Sequence, residues 1–178
     1  MVIYNKNKKA QIWVETVIYI LIAFVMIGLV LSFVRPKIEE LQDKAVIDQT
    51  VGLINTLDGV FSEIVVPGNK RIVDVTIKKG DLAFDVINDS VTFEIDSSYV
   101  YSEPGEAVMI GNINVSTVDK GKYSHVILTR NYSSQYNLTY KGGETKKILS
   151  KSTVPYKMVI TNKGEDNFGR TIIDIDFI

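Results

Sequence analysis

The chain has 178 residues, 20 of them basic and 21 acidic, with one histidine, no cysteine and a net charge of −1 at neutral pH. That balance offers no basic surface for nucleic acid, and the missing cysteine excludes disulfides, thiolate metal sites and thiol nucleophiles together. His125 alone cannot build a His-rich metal site, so no metal is expected.

Residues 1–10 are short and basic, with Lys6, Lys8 and Lys9 set among Asn5 and Asn7. Glu15 then opens an apolar stretch, and the nineteen residues from Thr16 to Val34 carry no charge. Nineteen residues suffice to cross a hydrocarbon core as a helix, so residues 11–35 are predicted to be a transmembrane segment. Lysines just before a span favour a cytoplasmic N-terminus, which puts the C-terminal bulk outside. The run is longer than the apolar core of a secretory signal, and Leu31-Ser32-Phe33-Val34-Arg35-Pro36 offers no A-x-A-like cleavage site after it. An ionisable residue at the edge of a span is costly unless paired, which makes Glu15 a candidate functional residue. Gly28 and Ser32 stand four apart, a spacing that lets two helices approach closely. Arg35-Pro36 is expected to mark the exit from the span.

Helical periodicity then resumes. Val46, Leu53, Leu57, Val60 and Ile64 form an apolar stripe that Ile47, Ile54 and Phe61 widen, while Glu39, Glu40, Asp43, Lys44, Asp48 and Asp58 supply a polar face. Residues 36–66 therefore read as an amphipathic continuation, stopped by Pro67-Gly68-Asn69. The combined helix would run to about 50 residues, roughly 75–80 Å. Its apolar stripe needs something to lie on, and residues 67–178 supply it. Leu82, Phe84 and Val86 alternate with other residues, as do Val91, Phe93 and Ile95, with Asn88-Asp89-Ser90 as the turn between them. Ile72, Val75 and Ile77 form an earlier run in which Val75 is one step out of phase. Further strands are predicted at 108–110, 113–118, 123–129, 135–141, 145–149, 156–161 and 171–178, separated by glycine-bearing turns. The expected fold is α+β: a long N-terminal helix whose outer half packs on an antiparallel β-sheet head domain of about 110 residues, enough for one hydrophobic core.

Few short motifs stand out. Four N-x-[ST] sequons place candidate N-glycosylation at Asn88, Asn114, Asn131 and Asn137, all on the side that the topology assigns to the outside. Lys163-Gly164-Glu165-Asp166-Asn167 has oxygen donors but not the ligand spacing of an EF-hand, and reads as a solvated turn. The tyrosines of the outer region suit strands and, as large low-entropy contact groups, adhesive surfaces. No nucleophile elbow, phosphate-cradling glycine loop or Ser/His/Asp set is present, so no catalytic residue is expected.

The N-terminal pattern resembles archaeal type IV pilins with class III signal peptides, a family with a basic leader, a cut directly before a glutamine and a glutamate at the fifth mature position. Here Lys8-Lys9-Ala10, then Gln11-Ile12-Trp13-Val14-Glu15, matches at the glutamine and the glutamate. Trp13 stands where the family's Q-x-S-x-E-like pattern has serine, and Ala10 replaces the commoner glycine before the cut. The resemblance spans roughly residues 6–66. It implies cleavage between Ala10 and Gln11 by a prepilin peptidase, then polymerisation through residues 12–64 into a helical homo-oligomer, driven by an assembly ATPase and a platform protein. Loss of the three leader lysines would leave 17 basic residues against 21 acidic ones, a mature charge of −4. The apolar helix would exchange membrane lipid for neighbouring helices, so little burial is lost on extraction. Glu15 would then be a buried carboxylate, tolerable only if paired. The resemblance makes the α-amine of Gln11 its partner. If that glutamine cyclises, Glu15 needs another donor, such as Thr16 of a neighbour, or sits protonated.

The expectation is thus a non-enzymatic subunit of a surface filament, made as a single-pass membrane precursor. Two rivals share much of the pattern: an anchored surface protein that never polymerises and whose head binds a ligand or sugar, and a minor pseudopilin of a secretion or uptake machine. An anchored hydrolase is a third.

Overall fold

The structure is a computed structural model that describes residues 7–178, with side chains from residue 12 onward. One helix, α1, runs Asn7–Glu63, and ten strands follow it. The chain divides into two compact units, the first ending at Glu39 and the second spanning Glu40–Ile178.

Pro36 lies inside α1 and does not end it. Proline lacks the N–H that would reach the Ser32 carbonyl, but its fixed φ is helical and the residues on both sides are good helix formers. Pro36 therefore costs one hydrogen bond within the continuous helix that the sequence predicts. The helix stops three residues before the predicted end. Ile64 donates its N–H to the Val60 carbonyl at 3.2 Å, and the backbone then turns through Pro67 and Gly68, whose φ of 88° favours a glycine.

In the second unit, α1 and the residue just after it bury Asp43, Ile47, Thr50, Ile54, Leu57, Phe61 and Ile64. These positions alternate steps of four and three, the repeat of a single helical face. Leu57 and Ile64 are buried as predicted, but at the other positions the face is turned by one residue from the predicted one. Ile47, Ile54 and Phe61, expected at the margin, lie in its centre, while Val46, Leu53 and Val60 pack at its edges. At 46/47 and 60/61 the larger side chain takes the middle, where it buries more apolar area.

Asp43, placed on the polar face by the sequence, is only 4 % exposed. Burial is tolerable because both carboxylate oxygens are satisfied: Lys79 Nζ donates to Oδ1 at 2.6 Å and the Ser98 N–H to Oδ2 at 2.7 Å. Two further links tie the helix to the rest of its unit. The Tyr101 hydroxyl donates to Asp48 at 2.8 Å, and Arg130 Nε contacts both Asp58 oxygens at 3.1 and 3.2 Å. Burial pushes the Tyr101 hydroxyl up to about 12, reinforced by the Asp48 carboxylate that accepts its proton.

The strands form two sheets rather than one. β1 (Lys70–Val75), β9 (Tyr156–Glu165), β10 (Thr171–Phe177) and β7 (Tyr136–Tyr140) make a four-stranded sheet in the order β1-β9-β10-β7. β4 (Ala107–Ile110), β5 (Ile113–Asp119), β6 (Ser124–Asn131), β3 (Ser90–Ser97), β2 (Asp81–Asp85) and β8 (Lys147–Leu149) make a six-stranded one in that order. All pairings are antiparallel except β10 with β7. That pair is parallel because the chain leaves β7, crosses to the other sheet as β8 and returns through β9. The turn before β2 requires Gly80, with φ 82° and space for no Cβ: one would lie 2.5 Å from the Glu94 carbonyl oxygen.

Inward residues of both sheets and the α1 stripe join in one core. The Phe84 ring of β2 lies 5.9 Å from the Phe177 ring of β10, across the two sheets. A polar link runs beside it. Asp89, held at φ 47°, accepts from the Leu138 N–H and from Arg170 Nη1, both at 2.8 Å. Tyr132 is 1 % exposed, and its hydroxyl has no partner among the described residues, although Asp58 and Arg130 lie close enough to influence it. Burial pushes that hydroxyl far above its ordinary value. A buried unpaired donor is a net cost, so Tyr132→Phe is expected to leave stability unchanged or raise it by up to about 1 kcal/mol. Equilibrium urea unfolding checks this, and a loss of more than 1 kcal/mol would show that the hydroxyl is bonded.

Candidate functional site

Two sets of residues were singled out by the sequence: the N-terminal assembly segment and the four sequons. In the first unit, every described side chain from Ile12 to Glu39 is exposed. The apolar residues cover the whole circumference of the helix rather than one stripe, and the segment is long and apolar enough to cross a membrane. The few polar side chains turn back on their own backbone. Thr16 Oγ1 donates to the Ile12 carbonyl at 2.9 Å, and Ser32 Oγ to the Gly28 carbonyl at 2.8 Å. Such back-bonding satisfies the hydroxyls within the helix and leaves its outer surface apolar. Around Gly28 and Ser32 the surface dips into a hollow of about 210 Å³, also lined by Leu31 and Arg35. A Cβ at Gly28 would meet nothing within 4 Å, so the missing side chain is a gap on the outer surface.

Glu15 lies one residue before this uncharged run and is exposed. Among the described residues none hydrogen-bonds or ion-pairs with its carboxylate. The neighbouring Thr16 hydroxyl is committed to the Ile12 carbonyl. Ala10 and Gln11 belong to the backbone of α1, but their side chains lie outside the described residues, as does most of the basic leader.

The sequons are spread over the second unit and form no cluster. Asn88 is exposed in the β2–β3 turn, where its amide donates to Asp85 Oδ2 at 3.0 Å. Asn114 is exposed on β5. Asn131 ends β6, with its Oδ1 accepting from the Ser133 N–H at 2.9 Å and hydroxyl at 2.6 Å. Asn137 differs. It is half-buried on β7, and its amide donates to Asp166 Oδ2 at 3.3 Å.

Asp166 closes the β9–β10 turn that the sequence reads as solvated. Its Oδ1 accepts from the N–H groups of Phe168 and Arg170, both at 2.9 Å, and Oδ2 from Arg170 Nε at 2.9 Å. Burial alone would raise this carboxyl, but those backbone donors, with Asn137 and Arg170, outweigh it and hold the group down at about 2. A folded-state value below the unfolded one stabilises the fold above the unfolded value of about 4, and that contribution is lost as pH falls through about 2. The thermal midpoint of the head is therefore expected to fall between about pH 4 and pH 2, and Asp166→Asn to remove part of that fall. A wild-type midpoint flat across this window would contradict the assignment.

His125, the only histidine, sits on β6 with Nδ1 2.8 Å from Asp96 Oδ1 and Nε2 3.7 Å from Glu94 Oε2, so it is a partnered strand residue. Among the described residues no group of three His, Cys, Asp or Glu side chains could hold a metal ion. One arrangement was not legible in the sequence. Lys78 and Lys79, with Lys151 from some seventy residues later, line one cavity with Gln42, Asp43 and Gln49 of α1. Comparison of the chain with protein-family models, with curated proteins and with solved structures returns no match.

Proposed function

We propose that this chain is a non-catalytic structural subunit of an extracellular type IV pilus-like filament. It is made as a single-pass membrane precursor with its N-terminus in the cytoplasm, cut between Ala10 and Gln11 by a prepilin peptidase, and polymerised through its N-terminal helix. The observation that carries this reading is the all-round apolar surface of residues 12–34, with a Glu15 carboxylate near its start that no described residue satisfies. A helix apolar on every side is stable in lipid or when surrounded by other helices, and a filament core offers the second environment after the first. The hollow at Gly28 and Ser32 supports close approach of a second helix. The head contributes the outer surface, on which exposed Asn88, Asn114 and Asn131 are the better glycan acceptors and Asn137, engaged by Asp166, the poorer one.

Pulse-labelling with fractionation tests the reading. Precursor is expected in the membrane, resistant to alkaline extraction, and a shorter product in material sheared from the cell surface, where electron microscopy resolves filaments. A full-length chain that stays in the membrane and never enters a sheared fraction would favour the anchored, non-polymerising protein instead.

A further inference from the structure

We propose that the head domain carries a site for a phosphate group, in the cavity between Gln42–Gln49 of α1 and the lysines Lys78, Lys79 and Lys151. Three lysines line this cavity of about 480 Å³. Its one lining carboxylate, Asp43, is already engaged through both oxygens, by Lys79 Nζ at 2.6 Å and the Ser98 N–H at 2.7 Å. Asp43 therefore neutralises Lys79 and no other group. Among the described residues Lys78 and Lys151 have neither a hydrogen bond nor an ion pair.

Like charges held together are unfavourable unless an anion joins them. Here the backbone holds them: the Ser152 N–H donates to the Ile77 carbonyl at 3.0 Å, which fixes the residues adjoining Lys151 and Lys78 side by side. Gln42 and Gln49 line the helix side, and their amides are able to donate N–H groups. Lysine binds phosphate as a point charge, and a tetrahedral oxyanion has enough oxygens to meet two ammonium groups and an amide at once. The cavity's place in the chain suggests a source for the anion. Gln42 stands eight residues after Val34, the last residue of the uncharged run. Eight residues span at most about 28 Å, within reach of a headgroup layer if that run crosses the bilayer. Basic residues at such a position attract anionic lipid. The phosphate site rests on the cavity alone; only its filling by a lipid headgroup rests on the membrane reading above.

The test is thermal unfolding of the full-length protein in a neutral detergent, with inorganic phosphate or short-chain phosphatidylglycerol added against sodium chloride at matched ionic strength. At ten times the dissociation constant the midpoint should rise by about 3 °C. The Lys78→Gln/Lys151→Gln variant should lose the rise, and Lys78→Arg/Lys151→Arg should keep it. Lys79 is left intact because it also holds Asp43. Circular dichroism and the midpoint without anion confirm that each variant folds. A rise with phosphatidylglycerol alone assigns the site to a headgroup, and a rise with both probes assigns it to phosphate from either source. No rise beyond chloride, or an equal rise in the glutamine variant, overturns the proposal. Release of the chain by alkaline carbonate, with the phosphate shift intact, would instead overturn the membrane reading and leave the site standing.

Discussion

Glu15→Ala is expected to abolish filaments while leaving membrane insertion and removal of the leader intact. The carboxylate is exposed beside a helix that is apolar all round, and no described residue of its own chain satisfies it. In a bundle of such helices it must meet a donor from a neighbour, and the mature N-terminal amine of Gln11 is the proposed one. Removing one partner of a buried ion pair costs about 3–5 kcal/mol, because the other charge is left buried and alone. At about 1.4 kcal/mol per decade, that is a hundred-fold to several-thousand-fold loss in subunit affinity at every contact along the filament. Insertion depends on the apolar run, which the substitution lengthens, so the precursor should still enter the membrane. Immunoblots of membrane and sheared fractions, with electron microscopy of the latter, read out both halves. Normal filaments from Glu15→Ala would remove the carboxylate's role. Glu15→Gln adds a further distinction, since it keeps a hydrogen-bonding group but no charge and should fail similarly if pairing is ionic.

Phe61→Ala should be among the most destabilising single changes in the head. Phe61 is 2 % exposed, with its ring centroid 5.1 Å from that of Tyr132 and 5.5 Å from that of Tyr136, both edge-on. Truncating a buried phenylalanine costs about 3–5 kcal/mol through lost transfer energy and the cavity left behind. For a unit of this size the thermal midpoint should drop by about 10 °C or more. Val60→Ala provides the contrast. Val60 lies at the edge of the same stripe, so its truncation should cost less than about 1.5 kcal/mol. Urea unfolding of the two variants reads the rotation of the helix face directly. Equal costs would place the centre of the stripe back where periodicity alone puts it.

That rotation shows what the sequence could and could not reveal. Periodicity located the helix and its apolar side, because an amphipathic face needs only local spacing. It could not choose among adjacent candidates for the centre, since a face of this width accepts either set and the core decides which side chains fit. The strands were legible for the same local reason. Val91, Phe93 and Ile95 alternate inward as predicted, all three buried. In β1 the residue out of phase proved to be Ile72, 62 % exposed, while Val75 is fully buried; the earlier part of the run misled because β1 is an edge strand with solvent on its outer side. What depends on distant pairing stayed hidden. The division into two sheets follows from the parallel pairing of β7 with β10, which no local pattern encodes. Asp43 read as a surface residue because its partners, Lys79 and Ser98, are remote in the chain. The convergence of Lys78 with Lys151 is hidden for the same reason. In the N-terminal segment the residues themselves, Gln11 and Glu15 before an uncharged run, carried nearly all of the functional reading, and the structure adds that this helix is apolar on every side.

The N-terminal residue of the chain in sheared surface material tests the central claim most directly. Intact-mass and terminal-peptide mass spectrometry should find a chain beginning at Gln11, with or without the loss of ammonia that marks its cyclisation, and lacking Lys6, Lys8 and Lys9. A surface-derived chain that begins at Met1 or Val2 would contradict the account.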